Sequence, residues 1–415
     1  MRPTSPASPA SPGRRKTVLA GAGLLALTAW PAHAQQKKYG PGASDTEIKL
    51  GQTMPYSGPA SAYGTIGKLQ QAYFKMVNEQ GGVGGRKINL ISLDDGYSPP
   101  KAVEQVRKLV EQDEVLALFQ TLGTPSNSAI HKYVNAKKVP HLFLATGATK
   151  WADPKNFPWT IGFNLSYQAE GVIYAKYLLK SKPNAKVAIL YQNDDYGKDL
   201  LKGVKDGLGA PGAKLIVAEA SYEVTDPTVD SQIVTLQGSG ADTFINITTP
   251  KFAAQAIRKA YDSGWKPLHI VNNVGASVGS VLTPAGLDKS VGLLTIQYYK
   301  DPNDPQWKED PAMLEWRAFM GRYYKEGDPK DASNLYAYIA AQLMVHVLKA
   351  CGNDLTRENV MKQATGIKNL KLPLLLPGMA LNTSPTDYFM VKQAQLSKFT
   401  GTQWAGFGDV ISTVD

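Results

Sequence analysis

Ser277 stands in the run Gly275-Ala276-Ser277-Val278-Gly279. That spacing can lift a serine onto a sharp strand-to-helix turn, where it acts as a nucleophile in acyl transfer. The run follows the short apolar segment Ile270–Val271 and opens a helical stretch. Asp288 or Asp304, and then His346, follow in the order such a hydrolase needs. His346, however, sits inside the apolar helical run Leu343–Leu348, where a histidine packs or meets solvent. Turns rich in small residues produce the same spacing, so a secreted serine hydrolase is the distant alternative. The five histidines, at positions 33, 131, 141, 269 and 346, show no paired metal-ligand spacing. Gly81-Gly82-Val83-Gly84-Gly85 follows a helix and lacks the Lys-Ser/Thr of a phosphate loop, so it reads as a helix stop. Neither a metal nor a cofactor is expected.

A second set of residues is suited to binding. Pro55 to Gly64 is a ten-residue loop carrying Tyr56 and Tyr63 on a Gly/Pro frame, whereas strand-to-helix loops are commonly about two to six residues. Thr121-Leu122-Gly123-Thr124-Pro125-Ser126 and Ala145-Thr146-Gly147-Ala148-Thr149 combine small residues with hydroxyls. Such loops let backbone N–H groups at helix N-termini reach an anion, with Ser126 available as a helix cap. Later in the chain come Gln192-Asn193-Asp194-Asp195-Tyr196-Gly197, Thr248-Thr249-Pro250-Lys251-Phe252 and Asn272-Asn273-Val274-Gly275-Ala276-Ser277. One such loop alone is a structural turn; several on one sheet edge make a site.

The elements that carry these loops alternate in period. Strands are expected at Ile48–Met54, Ile88–Leu93, Val115–Phe119, His141–Leu144, Lys186–Tyr191, Lys214–Ala218, Thr243–Ile247, His269–Val271 and Leu293–Tyr298. Helical patterns lie between them, as at Ile66–Asn78, where Ile66, Leu69, Tyr73, Met76 and Val77 share a face. Lys101–Gln112, Ala169–Leu179 and Ala253–Ser263 follow suit. This alternation predicts α/β architecture with parallel sheets covered on both faces. Four strands precede Phe157-Pro158-Trp159 and four or five follow, which divides 415 residues into two doubly wound lobes. Three helices, Ala312–Tyr324, Asn334–Lys349 and Arg357–Thr365, then lead to a terminal β segment at Gln395–Phe399 and Gln403–Phe407.

The N-terminus reads as an export signal: Arg14, Arg15 and Lys16, the apolar stretch Val18–Ala29, and Ala32-His33-Ala34 as cleavage pattern. Residues 1–34 are the expected signal peptide, entering by either the general or the twin-arginine route, and the expected location is the periplasm. No cysteine lies near the cleavage point, so no lipid anchor is expected there. Removing this segment takes away four basic residues and no acid, so net charge falls from +10 to +6. The remaining cations are dispersed, which makes a nucleic-acid surface a poor reading. The single cysteine, Cys351, permits no intrachain disulfide and is expected to be buried packing.

Together, Ser57-Gly58-Pro59-x-x-x-Tyr63-Gly64, Asn78-x-x-Gly81-Gly82-Val83-x-Gly85-Arg86, Asp94-Asp95 and Asp194-Asp195-Tyr196-Gly197 resemble the branched-chain-amino-acid-binding (LivJ-like) family of periplasmic proteins that serve ABC transporters. The likeness covers nearly the whole mature chain. It implies a type I periplasmic binding protein: two Rossmann-like lobes joined by a three-crossing hinge, residues 44–162 with 300–383 and residues 163–299 with 384–415. It implies a monomeric, non-enzymatic solute carrier partnered by an ABC permease in the inner membrane; a receptor-coupled sensor is a further possibility. It places a ligand carboxylate at Gly123 and Thr124, and at Gly147 and Thr149, with Tyr63 on the same side. It places Tyr196, Thr249 and Pro250 on the second lobe, beside the loop that holds Asn273.

The chain departs from the family in two places. The positions of a common family disulfide are Tyr97 and Leu122, which leaves Leu122 as an apolar group at the site. The loop that would hold the ligand ammonium, Asn272 to Ser277, has no acid, and a buried ammonium needs one. Asp194 and Asp195 belong to a scaffold motif. The expected ligand is therefore a small carboxylate, an aromatic acid above all, with a branched-chain or other amino acid as the alternative.

Overall fold

The computed structural model describes residues 37–413; the expected signal peptide lies outside them. The first sheet is built from β2 (Glu47–Met54), β3 (Lys87–Asp94), β4 (Ala117–Phe119), β5 (His141–Leu144) and β6 (Thr160–Gly162). A minor pair, β1 (Lys38–Tyr39) with β12 (Asp354–Leu355), lies apart from it. The strand order is β3-β2-β4-β5-β6, all parallel. The second sheet holds β7 (Val187–Gln192), β8 (Ile216–Tyr222), β9 (Thr243–Ile247), β10 (Leu268–Val271), β11 (Leu294–Gln297), β13 (Gln393–Phe399) and β14 (Trp404–Ser412). Its order is β14-β13-β11-β10-β9-β7-β8, with β13 and β14 antiparallel.

Parallel strands demand helical crossovers, which cover both faces. These are α1 (Gly64–Glu79), α2 (Pro99–Glu111), α3 (Thr124–Ala136), α4 (Tyr167–Ser181), α5 (Asp195–Gly212), α6 (Asp230–Gly238), α7 (Pro250–Asp262) and the short α8 (Thr283–Ala285). Then follow α9 (Pro311–Tyr323), α10 (Ala332–Cys351) and α11 (Arg357–Ala364). β9 shows why the sequence reads clearly: all five of its residues are buried, as a strand covered on both faces requires. On α1 the anticipated stripe holds, with Ile66, Leu69, Tyr73 and Val77 buried and Met76 half-buried. The helix ends at Gly81 and Gly82, whose φ of +99° and +70° only glycine adopts freely. Cys351 closes α10 in the core at 5% exposure.

The chain is a two-lobed α/β protein. It passes between the sheets three times: from β6 to α4, from β11 to α9, and from α11 to β13. Two of the crossing segments pair with each other, Lys300 N donating to Leu374 O and Leu376 N to Tyr298 O. The strand expected at Lys214–Ala218 runs instead from Ile216 to Tyr222. It is an outer strand with alternating exposure, and the preceding residues are held in helical turns. Among the described residues no helix is long and apolar enough to cross a membrane.

Candidate functional site

In each parallel sheet the strand order reverses once, between β2 and β4 in the first and between β7 and β9 in the second. Crevices open at the carboxyl ends of strands at such points. Tyr63 follows β2, Leu122, Gly123 and Thr124 follow β4, Tyr196 follows β7, and Thr249 follows β9. All six border one cavity, together with Asn273 after β10. The space not filled by atoms between these residues, open solvent included, is about 720 Å³.

Three anticipated residues lie outside this lining. Gly147 is buried against Tyr167, and a Cβ there would sit 2.5 Å from Leu165 O and 2.8 Å from the Tyr167 ring. Thr149 turns away to Asp199, giving its N–H at 2.7 Å and its hydroxyl at 2.9 Å to Oδ2. Pro250 is the buried first residue of α7. Tyr56 also faces elsewhere, its hydroxyl 2.6 Å from Ser92 Oγ. Ser126 does not cap α3; the N-cap is Gly123, with φ +96° and no side-chain cap bond, and the Ser126 side chain is buried.

The wall is richer in tyrosine than the loop reading suggested. Seven tyrosines border the cavity: Tyr63, Tyr97, Tyr167, Tyr196, Tyr298, Tyr299 and Tyr336. Burial pushes Tyr63, Tyr97 and Tyr196 well above the usual phenol range, so they stay protonated donors. Tyr97 packs over Gly123, where a Cβ would meet its ring at 2.6 Å. Leu122 supplies an apolar surface at 4% exposure. No Asp, Glu, Lys, Arg or His borders the cavity among the described residues.

The nearby acids are all engaged by protein. Asp194 caps α5 by accepting from the Tyr196 and Gly197 N–H groups. Asp195 meets Lys150 at 2.5 Å and Ser128 at 3.2 Å. At the α3 N-terminus the Thr124 and Ser126 N–H groups find no acceptor among the described residues. These orphan donors and the helix dipole favour an anion.

Contacts from one sheet's helices and loops to the other's frame the cavity. Tyr63 donates to Val274 O at 2.8 Å, Tyr336 to Asn164 Oδ1 at 2.7 Å, and Ser277 to Asp331 Oδ1 at 2.7 Å. The Ser277 bond answers the hydrolase alternative. Its hydroxyl is bound to a carboxylate at the start of α10 and also accepts from Ala332 N. His346 lies fourteen residues along that helix and is exposed, roughly 21 Å away at the helical rise. Asp288 is exposed, and Asp304 caps a short turn through Gln306 N. No nucleophile–base contact exists among these residues. Nor does any cluster of three metal-ligating side chains occur among the described residues.

Beneath the second-lobe loop, Glu170 is 2% exposed and accepts from Asn273 N at 2.7 Å and from Tyr174 Oη at 2.7 Å. Burial lifts its carboxyl from 4.5 to about 7. A carboxyl raised in the fold stabilises fully below its unfolded value, and that contribution is lost as pH rises from about 4.5 to 7. Asp95, raised to about 6 by burial, acts in the same direction. His131, lowered to about 4 by burial, acts oppositely. Urea unfolding of wild type and Glu170→Gln at pH 5 and pH 8 isolates the one group. Wild-type stability relative to the variant is expected to fall by up to ~3 kcal/mol between the two pH values. An unchanged difference would mean that Glu170 is ionised throughout.

The chain matches the family model described as periplasmic binding protein over residues 47–400. It is 23% identical over 378 residues to the Leu/Ile/Val-binding protein homolog 7 of Brucella suis biovar 1 (strain 1330), covering 88% of this chain and 91% of that one. In three dimensions it is similar to a branched-chain amino acid ABC transporter protein from Thermus thermophilus with bound valine. The TM-score is 0.80 at 16% identity, covering 89% of this chain and 97% of that one. A solute-binding protein of an ABC transporter from R. palustris, in complex with benzoate, gives a TM-score of 0.74 at 19% identity, covering 88% and 98%. These relatives are binding proteins, not enzymes.

Proposed function

We propose that this chain, which belongs to the periplasmic binding protein family, captures a small carboxylic acid lacking an α-amino group, an aromatic acid above all, for an ABC importer. The observation that carries this reading is the uncharged wall. An α-ammonium held there would have no carboxylate within the lining, and an unpaired buried cation is costly. A carboxylate fares better: it meets protonated phenols, the Thr124 hydroxyl and the unpaired N–H groups of the first turn of α3. The ring-rich remainder of the wall suits an aromatic body, since aromatic pairs gain beyond simple burial. The same fold accommodates valine in one structural neighbour and benzoate in another, so the choice rests on the wall.

In this reading the signal peptide 1–34 directs a monomer to the periplasm, where an inner-membrane permease selects the closed form. The lobes are residues 44–162 with 300–383 and 163–299 with 384–415. Gly147, Thr149 and Pro250 act by shaping and closing the site, while the seven cavity-lining positions anticipated from sequence contact the ligand.

A melting-temperature screen of the mature chain tests the proposal. Benzoate and cinnamate-type acids are expected to raise the midpoint by mass action, and the twenty amino acids to leave it unchanged. A shift with leucine or valine alone would overturn it.

A further inference from the structure

Gln297, the last residue of β11, borders the cavity at 5% exposure. Its Oε1 is buried and meets no donor. Several polar side chains around it are engaged by protein. Asn273 Nδ2 donates to Ile296 O at 2.8 Å, Thr124 and Thr146 share a hydroxyl contact at 2.5 Å, and Tyr63, Tyr336 and Ser277 are bonded as described. Buried polar groups in folded proteins are nearly always paired, and an orphan calls for a partner. Gln297 itself is part of the cavity lining, so a ligand in the cavity lies beside it. Tyr298 and Tyr299 continue the same wall. This end of the site belongs to the second sheet, whereas the donors suited to a carboxylate belong to the first.

We propose that the ligand carries a hydroxyl group as well as a carboxylate, and that this hydroxyl bonds to the Gln297 amide, making Gln297 a specificity-determining residue. The substrate class is then a hydroxylated aromatic acid. A hydroxyl both donates and accepts, so it meets a side-chain amide in either orientation. A site built to bond a hydroxyl rejects an analogue without one, because the buried partner is left unpaired. The inference rests on the carboxylic-acid reading above.

The test is calorimetric titration with matched hydroxy and methyl acids: the three hydroxybenzoates against the three methylbenzoates, and 4-hydroxycinnamate against 4-methylcinnamate. Wild type is expected to prefer at least one hydroxy acid over its methyl partner by about tenfold or more. In Gln297→Leu that preference is expected to vanish while the methyl acid still binds. Equal affinities within every wild-type pair would overturn the proposal and leave the carboxylic-acid reading standing. A preference that survives in Gln297→Leu would also overturn it. If neither series binds and amino acids do, both readings fall. The wild-type pairs decide the matter even where the variant does not fold.

Discussion

Tyr196→Ala is expected to weaken ligand binding by about 100-fold, with a much smaller loss in the melting temperature of the unliganded protein. Tyr196 stands in the first turn of α5 and brings the second sheet's side of the cavity onto the ligand. It is 2% exposed, with its ring 5.0 Å from that of Tyr167. With the Asn272 amide turned so that its oxygen accepts, Tyr196 Oη donates to it at 3.0 Å. Removing a buried aromatic anchor at the centre of an interface commonly costs about 2–4 kcal/mol. Its neighbours Tyr167 and Asn272 lie on its own side of the cleft, so the expected loss of affinity comes from the missing contact with the ligand. Tyr196→Phe keeps the ring and loses only the hydrogen bond, about 1 kcal/mol. Calorimetry beside a thermal melt separates the outcomes. Undiminished affinity in Tyr196→Ala would remove the residue from the site, and loss of folding would assign it to the scaffold.

Asp199→Ala is expected to speed ligand release by roughly ten- to a hundredfold, although Asp199 does not border the cavity. Its Oδ2 receives both the N–H and the hydroxyl of Thr149, which follows β5 of the first sheet. Its Oδ1 receives Gln168 Nε2 at 2.7 Å. Asp199 itself is on α5, beside the second sheet. The carboxylate therefore ties one lobe to the other outside the binding space. Hydrogen bonds to a charged acceptor are each worth about 1.5–3 kcal/mol, and the two from Thr149 exist only when the lobes meet. Removing them shifts the balance toward the open form, and the ligand leaves from that form. Nearby, Lys150 and Asp195 make a contact at 2.5 Å with side chains 39% and 57% exposed. Such a pair is worth about 0–1 kcal/mol and weakens with salt, so Lys150→Ala is expected to change release only slightly. Stopped-flow displacement measures the rate. An unchanged rate in Asp199→Ala would mean the tie forms equally with the site empty or filled and does not govern closure.

The two cases show which parts of the site were legible in the sequence. Parallel topology forces the strand-to-helix loops onto one edge, so Tyr63, Leu122, Gly123, Thr124, Tyr196 and Thr249 could be named from loop position and family likeness. Thr149 sits in an equally promising loop, but a five-residue turn presents only one side to the cavity, and Thr149 lies on the other. Tyr167, Tyr298, Tyr299 and Tyr336 escaped notice because they come from crossing segments and helix starts, where no local period marks them. Their one signal is the adjacent pair Tyr298-Tyr299 at a strand's end. Tyr97 was read as half of a missing disulfide, yet its ring roofs Gly123. Gln297 gave no signal, since its unpaired oxygen is visible only once every neighbour has been placed. In the fold, β9 and β5 were plain because fully buried strands are mostly apolar and lack a polar face. β6 was missed because three residues carry no periodicity.

Cys351 gives the molecule a practical property. Burial in α10 pushes its thiol up to about 12, and thiols react as thiolates. The one native sulfhydryl is thus both covered and protonated at neutral pH. A cysteine placed at the rim, at the half-exposed Ser128 that faces Asp195 across the lobes, would take up a thiol-directed dye while Cys351 stayed silent. The natural sequence is already a nearly blank background for a fluorescent reporter of lobe closure.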